Sequence, residues 1–134
     1  MSSKPENQFI QSVHKHLPAK LHREKMNNPY RGGTADVWYS GSCADLWIEY
    51  KFLPKIPTRT QIKADLTPLQ VAWLSGRYKE GRNVWVVIGC KDGGVVLEHM
   101  DWTTELSPEE FRERLCTRPE LAKRIMWHTR RNIS

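Results

Sequence analysis

An α/β fold, with a mixed β-sheet of about five strands flanked by helices, is predicted by three features of the sequence. Four stretches, Ser3-Lys4-Pro5-Glu6, Thr67-Pro68-Leu69-Gln70, Ser107-Pro108-Glu109-Glu110 and Thr117-Arg118-Pro119-Glu120, have the capping-box pattern that opens a helix. Two runs rich in aromatic and β-branched residues, 34–39 and 46–52, flank the small polar stretch Ser40-Gly41-Ser42-Cys43-Ala44-Asp45 and read as a hairpin. Residues 83–89 form a nearly continuous apolar run, as expected of a strand covered on both faces.

Taken in order, Ser3 caps a helix reaching about residue 16, with Phe9, Ile10, Val13 and Leu17 on one apolar stripe and Glu6 on that same stripe. Pro18 ends it, and residues 21–26 make a first strand that leads through Asn27-Asn28-Pro29-Tyr30-Arg31 to a turn at Gly32-Gly33. In the hairpin, alternation places Trp47, Glu49 and Lys51 on one face and Leu46, Ile48, Tyr50 and Phe52 on the other, which is the core face. Pairing Tyr39 with Leu46 sets Trp38 opposite Trp47 and Asp36 opposite Glu49. A Pro-containing connector, 53–66, carries Lys55, Arg59 and Lys63 and leads to the helix that Thr67 caps and Gly81 closes; Trp73, Leu74 and Tyr78 on it read as packing residues. The apolar strand then falls in the sheet centre, Lys91-Asp92-Gly93-Gly94 turns into an edge-like partner at 95–98, and two short helices follow. The expectation is one domain over 1–134, its core about 6–98 and its C-terminal helices about 107–130.

The hairpin raises a chemical question. Directly opposed residues have Cβ atoms roughly 5 Å apart, so facing Asp36 and Glu49 carboxylates repel. A divalent cation offsets that repulsion, and Mg²⁺ is usually held by one or two carboxylates with water and substrate phosphates. Lys51 lies on the Glu49 face two residues on, within reach of a water or phosphate at the same spot.

Asp36, then Glu49-Tyr50-Lys51, with Gly32-Gly33-Thr34-Ala35-Asp36 as the turn before the first acid, resembles the signature of the PD-(D/E)XK nuclease superfamily. Ala35 stands where many members carry Pro, a backbone-shaping residue. The nearest sub-pattern is the small phage and VRR-NUC-like branch, which shares much with Holliday junction resolvases; the resemblance spans residues 6 to about 89 and includes Glu6 and the Gln70 helix. It implies a metal-dependent endonuclease in which Asp36, Glu49 and the Tyr50 carbonyl bind Mg²⁺ or Mn²⁺. Lys51 then orients or deprotonates the attacking water, while Glu6 and Gln70 support the water or a second cation. The capping boxes explain Glu6 and Gln70 equally well as plain caps, and the two roles can coexist.

The composition narrows the partners. A net charge of +6 and a pI near 9.4 suit a polyanion, so nucleic acid is the default partner, with Lys15, Lys20, Arg23, Lys25, Arg31, Lys55, Arg59 and Lys63 as the cations to grip its backbone. A basic aromatic tail, 123–131, either touches DNA or is solvated. Cys43, Cys90 and Cys116 lack Cys-x-x-Cys spacing, and His14 and His16 point to different sides of a helix, so neither a disulfide framework nor a zinc site is indicated. With no long apolar run and no leader-like start, the chain reads as intracellular, cytoplasmic and without a membrane partner. Three functions follow: a structure-selective DNA endonuclease of the junction-resolving kind, a sequence-specific endonuclease of restriction or homing type using the 53–66 connector and C-terminal region for readout, or a non-catalytic DNA-binding module. One hairpin cuts one strand, so the first predicts a homodimer, with Trp102, Phe111, Leu115, Ile125, Met126 and Trp127 as exposed apolar candidates for its contact.

Overall fold

The computed structural model describes residues 3–26 and 32–131; Arg31 and the segment before it lie outside the described residues. Ser3 caps helix α1 (Lys4–His14), and strand β1 (His22–Lys25) follows. The hairpin is β2 (Val37–Ser40) and β3 (Asp45–Phe52). The connector ends at Thr67, which caps α2 (Pro68–Lys79); β4 (Val84–Cys90) and β5 (Gly93–Leu97) complete the sheet. A 3₁₀ turn (Asp101–Thr103) leads to α3 (Pro108–Glu113) and α4 (Arg118–Arg130), each opened by a complete capping box.

The five strands lie in the order β1-β2-β3-β4-β5, antiparallel except for the parallel β3–β4 pair. The sheet is mixed because α2 carries the chain back to start β4 alongside β3, whereas the other connections reverse direction. The hairpin register is the one the sequence predicts, with Val37 on Ile48, Trp38 on Trp47 and Tyr39 on Leu46. The apolar strand β4 sits beside the central strand and not in the centre; β3 is central, since two strands precede it on one side and two follow on the other. Apolarity reports that both faces of β4 are covered, and a strand one place from the edge satisfies that as fully as a central one.

Parity divides β4 between two cores. Trp85 and Val87 join Phe9, Ile10 and Val13 of α1, Leu121, Ala122, Ile125 and Met126 of α4, and the predicted core face of β3. Val84, Val86, Ile88 and Cys90 join Leu74 of α2, Phe111 of α3, Trp102, Ile62 and Leu106 on the opposite side. The face of Trp47, Glu49 and Lys51 is therefore covered as well, and Glu49 is only 2% exposed. Of the proposed exposed apolar contacts, Trp102, Phe111, Ile125 and Met126 are core residues and Leu115 is partly buried; only Trp127 is exposed. Burying these side chains against the sheet gains more than leaving them to water. Across the α1 core runs a buried polar chain, with His14 Nε2 at 2.7 Å from the Tyr39 hydroxyl and that hydroxyl at 2.7 Å from the Tyr50 hydroxyl. Burial, then nearby Arg23, lowers His14 to about 4, so the ring is neutral near pH 7 and can complete the chain.

The turn before Asp36 is fitted closely to the start of α2. Gly33 has φ +99°, and a Cβ there would stand 2.4 Å from the Leu69 carbonyl oxygen. Gly33→Ala should therefore destabilise the protein by about 1–3 kcal/mol, whereas Gly76→Ala, on α2 with open space around the position, should stabilise it by about 0.5–1 kcal/mol. Urea denaturation of the two variants checks this; equal effects would show that the turn and helix are not in contact in solution.

Candidate functional site

Asp36 precedes β2 by one residue, and continuing the register sets it across from Glu49. Two main-chain bonds fix it: the Met26 N–H donates to its carbonyl at 2.7 Å, and the Tyr50 N–H donates to its Oδ2 at 2.8 Å. The two acids are thus tied to one another through β3. Both are buried, Asp36 at 7% exposure and Glu49 at 2%.

One oxygen of Glu49 is well supplied. Gln70 Nε2 donates to Oε2 at 3.2 Å, and Lys51 Nζ lies 3.6 Å from the same oxygen. Lys51 also donates to Gln70 Oε1 at 3.3 Å, which closes a Glu49–Lys51–Gln70 triangle. Gln70 is a cap at the same time, its Oε1 accepting from the Thr67 N–H at 2.9 Å and its own N–H donating to Thr67 Oγ1 at 3.1 Å. Its cap role and its place in the triangle coexist because the amide has an oxygen for the backbone and a nitrogen for the carboxylate. Glu6 completes its own box with Ser3, at 3.1 and 3.3 Å, and its charge still reaches Glu49.

The other oxygen, Glu49 Oε1, is buried with no hydrogen-bond partner. Burial, then the Asp36 carboxylate through its charge and through a side-chain hydrogen bond that the protonated acid makes with it, and Glu6, push Glu49 up to about 8 against the pull of Lys51. A buried acid pair with an orphaned oxygen fits a hard cation with oxygen ligands, which would satisfy Oε1 and favour the ionised form. Among the described residues no three His, Cys, Asp or Glu side chains form a metal cluster, so the carboxylates brought together here are Asp36 and Glu49 alone.

The predicted DNA-gripping cations are spread over several elements. Lys15 and Lys20 are exposed after α1, and Lys55, Arg59 and Lys63 are exposed on the connector. Lys25 donates to Asn7 beside Glu6. The Arg23 guanidinium is half-buried and donates to the carbonyls of Pro18, Leu21 and His14, so it also fastens the α1–β1 link. The residues that sequence reasoning passed over are Tyr39 and His14, which tether Tyr50 from behind. Tyr39 and Tyr50 both fall on the core face by alternation, and a buried hydroxyl needs a partner; that was the available signal.

The fold is an α/β mixed five-stranded sheet flanked by helices. No family model matches the chain, and no match is found among curated proteins. Among solved structures, the 1.6 Å structure of Hjc, a Holliday junction resolvase from the archaeal hyperthermophile Archaeoglobus fulgidus, superposes with a TM-score of 0.55 at 13% identity, covering 92% of this chain and 99% of that one. The likeness is one of fold.

The acid pair dictates a pH response. Without metal, folded Glu49 keeps its proton up to about pH 8, while in the unfolded chain it loses it near 4.5. The folded state binds more protons between those values, so stability falls as pH rises through that window. In a chelator, the melting temperature should fall from pH 5 to pH 8, and Glu49→Gln should flatten the fall. Mg²⁺ or Mn²⁺ should raise the melting temperature more at pH 8 than at pH 6. Calorimetry at both pH values checks this, and a wild-type curve that rises towards pH 8 in chelator would contradict it.

Proposed function

We propose that the chain is a metal-dependent DNA endonuclease acting on branched DNA in the manner of a junction resolvase. The observation that carries this reading is the buried Asp36–Glu49 pair with the orphaned Glu49 Oε1 and Lys51 beside it. The +6 charge and the fold likeness to a resolvase support it.

In this mechanism Asp36, Glu49 and the Tyr50 carbonyl would hold Mg²⁺ or Mn²⁺, which would supply Lewis-acid stabilisation of the phosphate and a more acidic water. Gln70 and Lys51 hold Glu49 Oε2. The Lys51 ammonium orients the attacking water and stabilises charge that builds on the phosphate oxygens during in-line attack. The Tyr50 N–H fixes Asp36 in the orientation this requires. Lys15, Lys20, Lys25, Lys55, Arg59 and Lys63 grip the backbone, with the release of counterions that makes such binding salt-dependent. Each copy cuts one strand, and two copies related by two-fold symmetry make the paired cuts a junction needs.

The test is incubation with linear duplex, single strand, flap and four-way junction, with and without Mg²⁺ or Mn²⁺, alongside light scattering for the mass in solution. Cleavage should require metal and favour branched DNA. Asp36→Asn, Glu49→Gln and Lys51→Ala should each lower the rate by at least about 100-fold while binding in chelator persists. Metal-dependent cutting of linear duplex at one fixed sequence would replace this reading with the restriction or homing type, and binding without any cutting would replace it with the non-catalytic module.

Glu6 and Gln70 divide by a second measurement. As caps alone, their alanine variants lose about 1 kcal/mol of stability and keep the full rate per folded molecule. As site residues, they lose at least about tenfold in rate beyond that, which is the expected outcome for Gln70→Ala, since it strips Glu49 Oε2 of its amide donor.

A further inference from the structure

The face of β3 that carries Glu49 and Lys51 continues into an aromatic row. Two residues before Glu49, Trp47 stacks on Trp38 of β2, with ring centroids 5.8 Å apart and planes at 22°. Trp73 of α2 meets Trp47 edge-on at 5.4 Å, and the Arg77 guanidinium lies 6.0 Å over the Trp73 ring. The three indoles are only half-buried. Beside them opens a cleft of about 380 Å³ whose lining includes Trp38, Asp45, Trp47, Arg77, Arg82 and Asn83. That volume is within the range of sites for small organic ligands, roughly 300–1,000 Å³.

The chemistry of the cleft is selective. It has indole walls and two guanidinium groups; Trp38, besides stacking on Trp47, meets the His22 ring edge-on with centroids 5.2 Å apart. Arg77 pairs with Glu80 at 3.3 Å in a largely exposed contact, of the kind that exchanges readily for another anion.

We infer that this cleft takes an unpaired nucleotide of the same DNA that is held at Glu49, an assignment that rests on the nuclease reading and narrows its substrate. The base lies against the exposed parts of Trp38 and Trp47, and Arg77 and Arg82 take the phosphate. Placement agrees with this. Trp47 and Asp45 precede Glu49 by two and four residues, so at about 3.3 Å per residue the cleft lies roughly 7–13 Å along β3 from the acid pair. That is about two to four nucleotides at 3.4 Å each. A base stacked in intact duplex cannot present itself to the indoles, so the cleft selects DNA whose strands separate close to the cut.

The full-length chain in chelator, where no strand is cut, provides the test. Forked duplexes carrying 2-aminopurine at successive unpaired positions of either arm are compared with a blunt duplex of the same sequence and with a free deoxynucleoside monophosphate. Emission should change at a few adjacent unpaired positions of one arm, and the fork should bind more tightly than the blunt duplex. The double variant Arg77→Ala/Arg82→Ala should weaken fork binding about tenfold and blunt binding less than twofold, and Trp38→Leu, which keeps an apolar side chain but removes the ring, should abolish the emission change. Equal loss for fork and blunt duplex, an emission change unaffected by Trp38→Leu, or a free mononucleotide bound as tightly as the fork would each overturn the assignment. Fork binding that depends on these residues in a chain that cuts nothing would keep the cleft and remove the nuclease reading, whereas cutting with no preference for separated strands would do the reverse.

Discussion

A carboxylate at 2% exposure in the middle of a sheet cannot stay charged on its own, and most of what surrounds Glu49 answers that constraint. Lys51 and Gln70 supply one oxygen with a cation and an amide donor. The second oxygen has an acid for a neighbour, so the interior is set against itself unless a proton or a metal joins it. Structures usually tolerate such a conflict at functional positions and relieve it elsewhere. Here the relief is local: the Tyr50 N–H holds Asp36, the tyrosine pair and His14 hold Tyr50 from the far side, and the start of α2 closes against the glycine turn.

Two of the four capping boxes bring their third-residue acid or amide close enough to act on Glu49, Gln70 by a hydrogen bond and Glu6 by its charge. All four share the same internal hydrogen bonds, so the motif alone carries no hint of the difference. What separates them is where each helix begins. α2 starts over the Glu49 face of β3 and α1 starts within reach of Glu49's field, while α4 starts beside β5, just after Cys116 pairs with Gly94, and α3 starts just after Leu106 pairs with Ile62 of the connector.

Much of this architecture was legible in the sequence because alternation and capping are local rules. The hairpin register follows from parity, and parity also placed Asp36 across from Glu49 before any strand was built. The helix starts follow from their caps within a residue. The order of strands was less legible, since an apolar run says that both faces are covered and not how many neighbours lie beyond. The fate of Trp102 and Phe111 was hidden for a related reason: these side chains sit on helical pieces of three and six residues, where the apolar stripe is too brief to distinguish a core face from a docking face, whereas Ile125 and Met126 share with Leu121 and Ala122 the buried stripe of the thirteen-residue α4. The Gln70 triangle could not be read at all, because it joins residues whose proximity is set by the packing of α2 over β3.

The hairpin is also closed from a distance. The Thr129 carbonyl, near the end of α4, accepts from the N–H groups of both Cys43 and Ala44 at 2.8 and 3.1 Å, and Cys43 Sγ donates to the Arg130 carbonyl across 87 positions of chain. On a ribosome adding about 5–20 residues per second, the β2–β3 turn therefore emerges several seconds before the helix that clasps it. During that interval the strand bearing Glu49 also lacks β4, so a nascent chain exposes an unpaired strand edge with a buried-type acid on it. The β2–β3 turn thus gains its clasp only after α4 has been made, long after the strands it joins.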